Sequence, residues 1–170
     1  LDIVNFSKTN SPAAETIVLK VESVDIKDNV RILGVPANLL IINTSNSASL
    51  FNCSSCSFEN VNRLTLAQAN DSLGLLQGNN RIGELQSINS ATMSINGLYA
   101  PGVMSLEIFT GMLNLQGIVS THYRGVRKNG EYLPDANGNL SIGSGAFSAY
   151  IGDLTVNYTD LEIKGVKPRD

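Results

Sequence analysis

Two segments of this chain repeat one another, and the repeat limits the folds open to it. Leu106-Glu-Ile108-Phe-Thr-Gly-Met-Leu113-Asn-Leu115-Gln-Gly117 aligns with Leu154-Thr-Val156-Asn-Tyr-Thr-Asp-Leu161-Glu-Ile163-Lys-Gly165 at an offset of 48 residues. A fainter copy places Ile88, Met93, Ile95 and Gly97 under Ile108, Leu113, Leu115 and Gly117, an offset of 20. Each copy alternates apolar and polar residues, the period of a strand. Repeats of two short strands joined by a turn, at a period near 20 or its multiples, point to a parallel β-solenoid. One coil cannot bury its apolar row alone. Coils stacked at about 4.8 Å align Leu, Ile and Val in internal ladders and leave Asn, Ser and Thr outside or in the turns.

The stretch from Asn38 to Ala69 carries the most local information. Leu39 to Ile42 is a continuous apolar run too short for a helix and bounded by turn formers, so it reads as a strand covered on both faces. Asn43, Ser45 and Asn46 follow, short side chains that hydrogen-bond their own backbone and turn the chain. Cys53-Ser-Ser-Cys56 then holds two thiols three residues apart. No helical periodicity follows, as a thioredoxin-type redox pair would require, and a small structural disulfide across a tight turn is the preferred reading. Its loop is so short that it stabilises less than a long-range bridge. Arg63 to Ala67 is a second alternating run. Thr16 to Val21, Val24 to Ile26 and Val30 to Val35 read as further short strands, Leu1 to Phe6 as a first one and Ser7 to Ala14 as a loop. Tyr123 to Gly145, with its Arg-Lys-Asn-Gly and Asp-Ala-Asn-Gly turns, reads as an extruded hairpin or loop.

The segment ANLLIINTSNSASLFNCSSCSFENVNRLTLA resembles the signature region of the two-partner secretion domain of filamentous haemagglutinins, haemolysins and contact-dependent inhibition toxins. There an apolar strand leads into an Asn-Pro-Asn-Gly turn, often a Cys-x-x-Cys turn, then Phe-x-Asn and a strand of the type Arg-x-Thr-Leu. Asn43 and Asn46 sit near that turn, Cys53 and Cys56 match the cysteines, and Phe58, Asn60, Arg63, Thr65 and Leu66 follow in order. Asn43-Thr44-Ser45-Asn46 lacks the Pro and Gly of the family turn. The segments GLYAPGVMSLEIFTGMLNLQGIV and GSGAFSAYIGDLTVNYTDLEIKGV are similar to later coils of the same family. The resemblance implies an all-β fold, a right-handed parallel β-helix (β-solenoid) with a capping strand region. The length of 170 residues suits a single domain over residues 1–170, which the resemblance places at the amino-terminal part of a larger exoprotein.

Composition excludes several other classes. A formal charge of −3 and a pI near 5.1 give no basic footprint for nucleic acid. Asn and Ser supply 37 of the 170 residues, and only 16% are charged. Such a surface of short neutral side chains suits an extracellular β-rich protein. No apolar run approaches the roughly 20 residues of a membrane helix, and no signal-peptide pattern is present, so a secreted precursor would already be processed.

Catalysis finds little footing. Acidic residues are scattered rather than paired for acid and base work. His122, the single histidine, reads as an exposed strand or loop residue, and with Cys53 and Cys56 it makes only three zinc ligands at poor spacing. Tyr99, Tyr123, Tyr132, Tyr150 and Tyr158 read as packing or rim residues rather than a carbohydrate surface. The expectation is a non-enzymatic monomer without cofactor or metal. What the resemblance implies is export through the periplasm of a Gram-negative bacterium to the medium or cell surface, by way of a dedicated outer-membrane transporter. Asn43 and Asn46 are then the recognition candidates. A module that itself binds glycan, or a host or bacterial surface receptor, is the alternative, and a carbohydrate-active β-helix enzyme comes last.

Overall fold

The computed structural model describes residues 1–43, 50–71, 83–87, 91–124, 126–128, 131–133, 142–143 and 145–167. The protein is all-β, with no helix among the described residues. Its strands are, in order, β1 (Asp2–Asn5), β2 (Thr16–Val21), β3 (Val24–Ile26), β4 (Asn29–Gly34), β5 (Ala37–Asn43) and β6 (Phe51–Glu59). They continue as β7 (Val61–Asp71), β8 (Glu84–Ser87), β9 (Thr92–Tyr99), β10 (Ser105–Thr110), β11 (Met112–Ser120) and β12 (Tyr123–Arg124). The last are β13 (Val126–Lys128), β14 (Glu131–Leu133), β15 (Ile142–Gly143), β16 (Ala146–Ile151), β17 (Asp153–Asn157) and β18 (Ile163–Lys167).

Two parallel arrays dominate. The first sheet runs β1-β4-β6-β9-β11, with β3 also on β6, and the parallel part of the second runs β2-β5-β7-β10-β16. From β5 to β11, apart from β8, the chain alternates between them, so each of these strands lands beside one formed earlier. Register turns sequence spacing into apolar rows. Leu39 lies beside Leu64, which lies beside Leu106 and then Phe147; Ile41, Leu66, Ile108 and Ala149 form the next row inward. From the first sheet, Cys53, Ile95 and Leu115 face them. Of these, Leu39, Ile41, Leu64, Leu66, Leu106, Ile108, Cys53 and Ile95 are buried in one core between the sheets, while Phe147, Ala149 and Leu115, on the last strand of each array, are exposed.

The offset-20 copy is a register in space: Leu113 pairs with Met93 and Leu115 with Ile95, while Ile88 lies outside the described residues. The offset-48 copy is not. β10 stacks on β7 and β16, at offsets of 42 and 41 residues, whereas β17 pairs antiparallel with β8 and β18. Alternation sets which face a side chain takes but not the direction of its strand, so parallel and antiparallel segments share one pattern. Together with the end of β7, these antiparallel strands form a flap. Leu85, Val156 and Tyr158 pack on Leu40, Ile42, Ala67 and Phe109, which point outward from the second sheet and make a second core. Cores on both sides explain why Leu39 to Ile42 are all buried. Between β11 and β16, β12 pairs with β15 and β13 with β14, both antiparallel, where the sequence places its extruded hairpin.

Candidate functional site

The cysteine pair does not sit in a turn. Cys53 and Cys56 lie within β6, both buried and joined by a disulfide with their Cα atoms 5.5 Å apart. In a regular strand, residues three apart face opposite sides. Here Ser55 has φ +48°, which adds one left-handed residue and returns Cys56 to the inner face. Neighbouring strands carry the same kink at the same level. Gly97 (φ +82°) stacks against Ser55, and Gly117 (φ +74°) stands so close to Gly97 that a Cβ there would meet the Gly97 nitrogen at 2.9 Å. Cys53 lies beside Ile95 and Cys56 beside Leu98, so the disulfide occupies a place that the next strand fills with an aliphatic pair.

That equivalence fixes an expectation. Replacing both cysteines by serine should cost about 2 kcal/mol for the lost short loop closure, with a further cost for burying two hydroxyls. A Cys53→Val, Cys56→Val pair should lose less, because it keeps the apolar row. Urea midpoints of the two variants test this, and equal losses would contradict it.

Asn43 closes β5 at the corner that follows. It is fully buried, its Nδ2 donating to the Leu50 carbonyl at 3.3 Å. It pairs in register with Gln68, whose Oε1 accepts from Thr110 Oγ1 at 2.7 Å, and all three side chains are buried. Asn46 lies outside the described residues. The opposite corner holds two asparagines the sequence reading left without a role. Asn60 (φ +65°) donates from Nδ2 to the carbonyls of Ile32 and Gly34 at 2.9 and 3.0 Å. Asn5 donates to Ala14 and Val35 and accepts from the Ala14 amide. Each amide thus serves carbonyls that the parallel ladder leaves unpaired where the chain leaves one sheet for the other. A lone Asn closing an apolar strand just before the next strand is the signal that was available.

The remaining charged cluster lies beneath the flap. Glu107 is fully buried and pairs with Arg63 Nε, while Arg63 Nη2 donates to the Tyr158 carbonyl at 2.7 Å and its guanidinium stands 3.9 Å over the Tyr158 ring. Burial pushes the Glu107 carboxyl above the usual glutamate value, against the pull of Arg63, and burial likewise raises the Tyr158 phenol. Its partners span 44 and 95 residues of sequence, beyond any local motif. His122 is exposed, and among the described residues no three metal-ligating side chains converge. Tyr150 stacks on Phe109 with centroids 4.8 Å apart and Tyr158 is buried, so both serve packing; Tyr99 is exposed. No protein-family model matches the chain, and no curated protein matches it.

Proposed function

We propose that this chain is a secretion and folding-nucleation module of a larger exported protein, of the two-partner secretion type that Asn38 to Ala69 resembles, built as a right-handed parallel β-helix with its flap and hairpin as excursions. The parallel pairings support the helical reading: strands that pair in one sheet are separated by a strand of the other, which is what winding around a common core produces. In this reading the partner is an outer-membrane transporter whose periplasmic domains bind the chain before it folds, and the product is released outside the cell.

One observation carries the proposal. Asn43, in the segment that resembles the family's recognition turn, is fully buried in the folded protein. A partner that reads this side chain must read it in the unfolded chain. Folding then removes the signal and, by stacking the strands on their predecessors, prevents return.

Replacing Asn43 and Asn46 by alanine should therefore cut release into the medium severalfold. Asn43→Ala also costs roughly 1–2 kcal/mol through its lost buried hydrogen bond, so Gln68→Ala serves as a control that loosens the same corner outside the recognition turn. Normal release of Gln68→Ala beside poor release of the asparagine variant supports recognition. Equal release of the two would sink it.

A further inference from the structure

Among the described residues, none forms a flap over the outer face of the first sheet. A shallow groove crosses it, with Asp25, Asn52, Ser94 and Asn114 in one row along the stacking direction. Ser54, Asn96 and Gln116 form the adjacent row, which Lys27 completes. These amides differ from those at the corners. Asn5, Asn43 and Asn60 are spent on backbone groups, whereas among the described residues the side chains of Asn52, Asn96, Asn114 and Gln116 find no hydrogen-bond partner. Each offers donors and an acceptor toward solvent. Among the described residues that line the groove, Asp25 and Lys27 carry the charges, and they pair with one another at 3.4 Å. Tyr99, 48% exposed, is the next outward residue on β9 beyond the kink at Gly97, and gives a ring for stacking on the same face.

We infer that this groove binds an uncharged, extended oligosaccharide laid along the stacking direction of the strands. The ligand must be neutral because the groove carries no net charge. It must also be rich in hydroxyls, because the unspent groups are amides that donate and accept alike. Four strands at about 4.8 Å spacing give a track of roughly 14 Å, enough for about three sugar units. The repeat of the track is comparable with the rise of one unit in a β-linked chain. This surface exists only after folding, so the inference is independent of the export reading.

Cellohexaose and chitohexaose titrated into the isotope-labelled folded protein test it by magnetic resonance. Saturable shifts confined to the side-chain amides of Asn52, Asn96, Asn114 and Gln116, for either sugar, are expected. An Asn114→Ala, Gln116→Ala variant should keep its melting temperature and bind at least about tenfold more weakly, the loss of roughly one good hydrogen bond. Binding should not weaken when salt is raised to about 0.5 M. No saturable shift with either sugar, shifts mapping elsewhere, or salt-sensitive binding of heparin alone would each overturn the assignment.

Discussion

Replacing Asn60 by alanine is expected to lower the unfolding free energy by about 3–4 kcal/mol, among the largest losses available to a single side chain here. Two effects add. The carbonyls of Ile32 and Gly34, the first contact buried and the second partly buried, lose their donor, and a buried acceptor left unmade costs about 1–3 kcal/mol. Residue 60 also holds φ at +65°, a left-handed conformation that costs alanine roughly 1 kcal/mol and asparagine less. Two further variants separate the terms. Asn60→Gly keeps the backbone at ease and should recover only the smaller part. Asn60→Asp keeps the shape but sets a carboxylate against two carbonyl oxygens, and should be as damaging as alanine at neutral pH. Equilibrium denaturation of the three gives the order; a loss below about 1 kcal/mol for alanine would mean that water serves those carbonyls as well as Asn60 does.

Arg63→Ala should cost at least about 3 kcal/mol at neutral pH, because removing one partner of a buried ion pair leaves the other charge uncompensated. Glu107 is fully buried and Arg63 is 18% exposed, so solvent cannot take over the role. The pH dependence follows from the raised Glu107 carboxyl. Below the unfolded value of about 4.3 the group is protonated in both states and costs nothing. Above it the unfolded chain ionises first, so stability from this site falls as pH rises, levelling once pH passes the folded value. In Arg63→Ala the opposing pull is gone, the folded value climbs further, and the decline extends higher. The deficit of the variant should therefore be smaller near pH 5 than near pH 7. Replacing both residues, as Arg63→Met with Glu107→Leu, should restore most of the loss, since a buried pair exchanged for apolar side chains is close to neutral. A pH-independent deficit would show that Arg63 acts through Tyr158 instead.

Much of the fold was legible because burial and strand period speak together. Thr16–Val21 and Val24–Ile26 are strands with the bounds their sequence suggests. Leu39 to Ile42 is apolar at every position because it has a core on each side, one between the sheets and one beneath the flap. What failed to show had physical reasons. The cysteine spacing reads as a turn because two inward residues three apart cannot sit in a regular strand, and the left-handed Ser55 that makes it possible has no signature of its own. Gly97 and Gly117 mark the same kink in the strands stacked on it, and they become informative once the 20-residue register is known. Arg63, Glu107 and Tyr158 meet only through stacking and the return of β17, so no local motif announces them. Among the proposed recognition residues, Asn43 proves to be buried at a corner, while Asn46 lies outside the described residues.

Dependence on a dedicated transporter is the central claim of the proposed export role. The measurement that tests it is release into the medium of this chain, placed behind a signal peptide in a Gram-negative host, with and without an outer-membrane transporter of the two-partner type. Release only when the transporter is present, with Asn43 buried in the released product as judged by protease resistance, is the predicted result. Equal retention in both cases, as folded β-rich protein in the periplasm, would contradict the export role and leave the polar groove of the first sheet as the surface to pursue.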